Sequence, residues 1–369
     1  MYTASVGSLA LAVDLPSAAL ELLRSELEPF IVVRENAPGP APLLTLTLRA
    51  APAPRAWREV TEGERIAVDT SSYAHLASHG LRYPTTGGYV VRIDLTDTYV
   101  FFDAGVRRAV LYQPALDLLT RDAVRLIKSL LISFTEAHGG IQLHAAGVTL
   151  DDGSAVLLVG DTRQGKTTLL LELLSSFRVQ QLSCDAVVLL PDGERNITVH
   201  GWPSPFSVSH GTLSDHPELA AFFPDDRRGV RYDTLWRDGR KSILTSAQVV
   251  TTLGRRIEPA ATRIAHVVVV RFRPDEPTGL RSVTSPTEFT SAVRSLCLGS
   301  RDPIYHNWHG YVVADEAAIE RNIDLLTARL LASVPVTVMT WAPSAASLFK
   351  RIPELGRAHE HLGDLLTEF

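Results

Sequence analysis

Gly160-Asp161-Thr162-Arg163-Gln164-Gly165-Lys166-Thr167 is the stretch whose residue types and spacing bear most directly on chemistry. The apolar run 155–159 leads into it and the leucine-rich run 168–174 leaves it. A phosphate-binding loop needs this order: an apolar strand, a turn opened by glycine, a second glycine, then a helix. Gly160 opens the turn, and Gly165 lets backbone N–H groups approach phosphate oxygens. Lys166 would lay a point charge across the outer phosphates, Thr167 would offer its hydroxyl to Mg²⁺, and the new helix would turn its positive end toward the anion. The ligand implied is ATP or GTP.

Two further residues are placed to act on such a ligand. Asp185 follows Leu182-Ser183-Cys184 and leads into the apolar run 186–190. An acid at a strand junction soon after a phosphate loop is a candidate for ordering Mg²⁺ or taking a proton from an acceptor, and equally a turn residue that caps the backbone. His144 lies in the run 141–148, which the Asp152-Gly153 turn joins to the strand entering the loop, so a hairpin would set it beside that strand. It reads either as a core histidine satisfied by a backbone carbonyl or as a group acting near the phosphates. The common ATPase and GTPase plan ends a downstream apolar strand in Asp, but the best such run, 267–270, ends in Arg271. The role of the acid therefore passes to Asp185.

The elements that must position these residues follow an α/β pattern. A strand over 9–13, an amphipathic helix over 17–28 stopped by Pro29 and a strand at 31–33 open the chain. Prolines bracket a strand within 43–48, and 89–95 with 99–103 form a hairpin turned at 96–98. No cluster of catalytic residue types stands out before residue 110. The longest helical pattern, 114–138, ends at Gly139-Gly140 as a helix C-terminus should, and it is expected to link two domains. The first, 1–112, is a smaller α/β domain; the second, 113–369, carries the phosphate loop. Arg121, Arg125 and Lys128 share one side of the linking helix and read as a solvated face. Further on, 214–231 reads as an ordered surface excursion, and His306, Trp308 and His309 as loop packing without a definite third metal ligand. A helix over 315–334, a strand over 336–341 and a last helix over 344–352 complete the pattern.

Bulk properties exclude several classes. A chain of 369 residues exceeds the usual single core, in line with two domains. A net charge of -5 gives no field to hold nucleic acid nonspecifically. Cys184 and Cys297 have no spacing that suggests zinc or a disulfide framework. The first sixteen residues do not resemble a signal peptide, and no apolar run is long enough to span a bilayer. The expectation is a cytoplasmic protein without membrane or nucleic-acid partners, with a homo-oligomer left open.

Three segments together resemble the HPr kinase-like proteins, whose kinase domain is related in fold to the nucleotide domain of phosphoenolpyruvate carboxykinase. They are 143–148 (Leu-His-Ala-Ala-Gly-Val), the loop from Gly160 to Thr168, and 183–190 (Ser-Cys-Asp-Ala-Val-Val-Leu-Leu). The resemblance implies a P-loop kinase using ATP and Mg²⁺. Lys166 and the loop from Gly160 through Asp161, Thr162, Arg163, Gln164 and Gly165 to Thr168 would hold the nucleotide. Thr167 would serve the metal, and Asp185 would act as base or as the acid that orders the metal. Gly239-Arg240-Lys241 looks like a basic segment that in such proteins can reach the phosphates, which adds Lys241 to the nucleotide site. Three positions depart from the family pattern. Cys184 stands where a second acid is usual, Arg163 where glycine is frequent, and Thr168 where the bifunctional kinase/phosphorylases commonly place an acid; no counterpart of their phosphorylase signature is present. The acceptor implied is a hydroxyl of a small molecule or peptide in a biosynthetic pathway, not HPr itself. The alternative is a nucleotide-binding regulator or scaffold without transfer chemistry.

Overall fold

Short aliphatic and β-branched runs cut by glycine and proline make nine strands among the described residues of the first 112. The computed structural model describes residues 1–35, 41–69, 78–103, 105–193, 196–237, 239–273, 276, 279–283, 285–301, 307–311 and 315–341. Its fold is mixed α/β. The chain divides into two compact units: Met1–Ile141 with Leu298–Asn322, and Gln142–Cys297 with the described part of Ile323–Phe369.

The first unit holds strands β1 (Tyr2–Val6), β2 (Leu9–Asp14), β3 (Val32–Glu35), β4 (Thr45–Arg49), β5 (Glu64–Asp69), β6 (Ser78–Thr85), β7 (Gly88–Ile93), β8 (Thr98–Asp103) and β9 (Arg108–Tyr112). They form one sheet in the order β3-β1-β2-β4-β9-β8-β7-β6-β5. Its helices are α1 (Ser17–Leu27), α2 (Arg55–Arg58) and α3 (Leu116–Ala137). Helix α3 is the long helix expected from the sequence, and its end at Gly139 is closed by the Gly140 N–H donating to the Thr135 carbonyl at 2.9 Å. The observed division falls after Ile141, not at 112, because α3 packs on α1 and on strands β2, β4, β8 and β9 of this same unit.

The basic side of α3 also differs from a uniformly solvated face. Arg121 is 44% exposed, but Arg125 is only 17% exposed and pairs with the buried Asp122 at 3.4 Å. Asp122 accepts hydrogen bonds from Thr96 and Thr98, both at 2.6 Å, so it is a satisfied structural carboxylate. Burial pushes Lys128 down to about 8, partly offset by Glu26. The segment around Trp308 packs within the same unit: Tyr89 donates to the His309 carbonyl at 2.7 Å, and Tyr311 stacks on Phe102 at 5.6 Å. His306 and the helix expected over 344–352 lie outside the described residues.

The second unit opens with β10 (Ile141–Leu143), β11 (Ala145–Thr149), β12 (Ser154–Val159), α4 (Lys166–Ser176), β13 (Gln180–Ser183), β14 (Val187–Asp192) and β15 (Asn196–Gly201). It continues through β16 (Phe206–Ser209), α5 (His210–Asp215), α6 (Tyr232–Arg237), β17 (Lys241–Leu244), α7 (Ser246–Thr252), β18 (Ala260–Ala261) and β19 (Arg263–Phe272). Strand β20 (Gly279–Ser282), α8 (Pro286–Arg294), α9 (Glu316–Ser333), whose first turns belong to the other unit, and β21 (Val336–Trp341) complete it. The principal sheet has the order β13-β11-β12-β19-β21-β20, beside a four-stranded sheet β10-β14-β15-β18 and the ribbon β16-β17. All six residues of β12 are buried, as a strand covered on both faces must be. Helix α4 packs its leucines onto that sheet in a core that includes Leu158, Leu170, Leu173, Val268 and Met339. The excursion at 214–231 contains the short 3₁₀ turns Pro217–Phe222 and Asp225–Arg227, so it is ordered as expected. No helix among the described residues is long and apolar enough to cross a membrane.

Candidate active site

Strand β12 delivers the chain to Gly160 at the edge of the core, where side-chain space runs out. A Cβ on Gly160 would lie 2.9 Å from the Val270 carbonyl oxygen. At the other end of the loop Gly165 is left-handed, with φ 87°, and is the N-cap of α4 without a side-chain cap. The N-terminal N–H groups of α4 are therefore not consumed by a capping side chain, the condition for receiving an anion there. Arg163 is also left-handed, with φ 66°, a conformation that costs a non-glycine residue about 1–2 kcal/mol and explains why glycine would suit this position.

Lys166 is 6% exposed and folds back over the loop, its Nζ donating to the carbonyls of Gly160 at 2.8 Å and Asp161 at 3.2 Å. Burial pushes it down to about 8 against the opposing pull of Asp185 and Asp161, while Lys241 pushes in the same direction as burial. An anion placed over the loop would reverse that shift. Asp161 and Thr162 are exposed, and the Asp161 carboxylate accepts the Thr162 N–H at 2.7 Å. Thr167 is half-buried in the first turn of α4, directly after Lys166. The Thr168 hydroxyl lies 2.8 Å from that of Thr212, which in turn lies 2.7 Å from Ser209. It ties α4 to α5, so a nucleotide contact by Thr168 would have to compete with that bond.

The hairpin expected from the Asp-Gly turn is present, with β11 antiparallel to β12 and Ala145 opposite Val159. Continued by one residue, this register sets His144 level with Gly160. The His144 N–H donates to the Leu296 carbonyl at 2.8 Å, which fixes the backbone, and Nε2 lies 3.1 Å from the Asp185 carboxylate. Asp185 arrives from the other side of β11, two residues past the end of β13, whose Ser183 pairs with Gly147. The Ser183 hydroxyl donates to the Ala186 carbonyl at 2.5 Å and pins this turn. Asp185 remains 54% exposed. Desolvation pushes its carboxyl upward, but the His144 hydrogen bond and charge, followed by Lys166 and Lys241, hold it below the ordinary range. It is ionised through neutral pH.

The structure brings His144 and Asp185 together at the end of β11. His144 is no isolated core residue, and Asp185 faces Lys166 closely enough for each to shift the other's protonation. Lys241, exposed at the start of β17, acts on both. Cys184 is 2% exposed, packs into the core under α4 and donates its thiol to the Ser204 carbonyl at 3.1 Å. Burial pushes that thiol far up, so it stays protonated at neutral pH and brings no negative charge beside Asp185.

On the opposite side β12 runs parallel to β19, Val159 beside Val269. The strand that carries an acid in the common plan is therefore adjacent to the loop here, but it ends in Arg271 and Phe272, and the Arg271 charge acts on Glu288 of α8. This flank contributes anchors. The Phe272 N–H donates to the Gln164 side-chain oxygen at 2.9 Å, and Trp341 Nε1 donates to the Gln164 carbonyl at 2.8 Å. A Cβ on Gly165 would stand 1.9 Å from Cζ2 of Trp341. Trp341 and Phe272 were invisible as loop residues in the sequence; the glycine at 165 signals that something approaches closely, but not what.

No cluster of three or more His, Cys, Asp or Glu side chains suited to a metal exists among the described residues. Mg²⁺ asks less of the protein, since one or two protein oxygens suffice when substrate phosphates and water supply the rest. Thr167 and Asp185 fit that requirement, and the loop with Lys166 fits a triphosphate.

No family model matches the chain, and no curated protein matches its sequence. Among solved structures, the HPr(Ser) kinase/phosphatase from Coxiella burnetii aligns over 62% of this chain and 99% of its own, at 11% identity and a TM-score of 0.26. A likeness of that size carries no argument about fold or function, which rest on the geometry above.

Proposed function

We propose that the protein is an ATP-dependent phosphotransferase acting on a hydroxyl of a small molecule or peptide. The observation that carries this reading is that Asp185, exposed and held by His144 at 3.1 Å, stands where its charge and that of the buried Lys166 ammonium, folded over a glycine-bounded loop, act on one another. ATP with Mg²⁺ would supply the transferable phosphoryl group and its charge neutralisation. Lys166 and the loop N–H groups hold the phosphates, Thr167 and Asp185 serve the cation, and Lys241 adds charge at the rim. Asp185 takes the proton from the acceptor hydroxyl as its oxygen bonds to the γ-phosphorus and the bond to the ADP oxygen breaks. His144 holds that carboxylate in place, and positioning with charge dispersal provides most of the acceleration.

A second reading, a nucleotide-binding regulator without transfer, draws on one observation: the family's second acid is replaced by the buried Cys184. Incubation with γ-labelled ATP and an extract of the native cells separates the two. Label transfer to an acceptor is expected from the wild type. Asp185→Asn should lower it about 10²–10⁴-fold while ATP binding stays within a few fold, and Lys166→Ala should lower both. Transfer that survives both substitutions rejects the assignment; binding without any labelled product favours the regulator.

A further inference from the structure

Two aromatic residues on the β19 side of the loop, Phe272 and Trp341, meet at Gln164. Gln164 is flanked by left-handed residues, Arg163 and Gly165, so its own peptide units set the direction of the loop's N–H groups. Both of its ends are held. Its backbone carbonyl accepts from the Trp341 indole at 2.8 Å, and its side-chain oxygen accepts from the Phe272 N–H at 2.9 Å. Phe272 and Trp341 face each other across adjacent parallel strands, with ring centroids 5.0 Å apart. The Trp341 ring, 2% exposed, also fills the space where a side chain on residue 165 would stand. A carbonyl held by the indole is a carbonyl kept from turning into the anion site, where it would repel phosphate.

We infer that Trp341 is a positioning residue for the phosphate loop, acting through the Gln164 carbonyl and the surface of Gly165 to keep the loop in its anion-receiving form before any ligand arrives. The inference rests on the nucleotide-binding reading above for its use, but not for its geometry. Gln164 therefore serves the loop through its anchors, its side chain being engaged on the side of β19.

Trp341→Phe removes the indole donor and keeps an aromatic ring against Gly165 and Phe272. Hydrogen exchange of the free full-length protein should show amides within 160–166 and that of Phe272 exchanging several-fold faster, with those of β14 unchanged. Titration with MgATP should show affinity weakened about five- to tenfold, the size of one hydrogen bond, with the melting temperature little altered. Gln164→Met, which removes the acceptor for Phe272, serves if Trp341→Phe fails to fold, and should speed the same amides. Unchanged loop exchange in the folded variants overturns the positioning role, whatever the nucleotide does. Faster loop exchange in a protein whose wild type binds no MgATP sustains the support of the loop and rejects the nucleotide reading.

Discussion

Strand β12 has two neighbours, and they bring opposite kinds of residue to the loop at its end. The β11 side, with β13 beyond it, contributes His144 and Asp185, polar groups left partly open and tuned by one another. The β19 side, with β21 beyond it, contributes Phe272 and Trp341, aromatic groups that close on the loop and fix its backbone. On the proposed reading, one flank acts on a ligand and the other holds the shape that receives it. The separation has a physical basis. A carboxylate among the aromatic rings would be desolvated without a partner, and a rigid anchor on the open flank would obstruct the acceptor.

The strongest way to break this comparison is to move the acid. Placing one on the aromatic flank, Phe272→Asp in an Asp185→Asn background, should leave transfer of labelled phosphate depressed by about 10²–10⁴-fold, because Phe272 lies across β12 from the place Asp185 occupies. Recovery toward wild-type transfer would show the flanks to be interchangeable.

The next effect is on pH dependence. Lys166 stands near 8 in the free protein, well below the usual lysine value, and a bound triphosphate would raise it. Binding then takes up a proton above about pH 8, so ATP affinity should fall by up to about tenfold per pH unit in that range and stay flat below it. Lys166→Arg, which keeps its charge, should flatten the decline. Calorimetric titrations in buffers of different ionisation enthalpy measure the uptake directly. An affinity unaffected by pH from 7 to 9.5 contradicts the role given to this ammonium.

The smallest effect is expected at Cys184, next to Asp185 in sequence but on the core side of the turn. Cys184→Ala should change transfer less than about twofold and cost on the order of 1 kcal/mol of stability in chemical denaturation, the signature of a packing residue. A transfer loss as large as that of Asp185→Asn would place the thiol within the reacting group and redraw the charged flank.

Much of this was legible in the chain. The loop, its strand and its helix follow from local order, because glycine freedom, apolar continuity and helix periodicity are properties of neighbouring residues. The hairpin that carries His144 follows from an Asp-Gly turn. The basic side of α3 was legible only in part, since the burial of Asp122 and its pairing with Arg125 depend on Thr96 and Thr98 in another element. The division of the chain after Ile141 was not legible either, because it turns on what α3 packs against, and an amphipathic stripe does not name its partner.

The sequence by itself determined that a loop bounded by Gly160 and Gly165 joins an apolar strand to a helix and that an acid stands at a strand junction shortly afterwards. Tertiary structure alone decided that His144 meets Asp185, that Cys184 turns away from them, and that Trp341 closes on a glycine far behind it in the chain. Local propensities fix the elements, but only strand order and register bring residues from different elements to one end of β12.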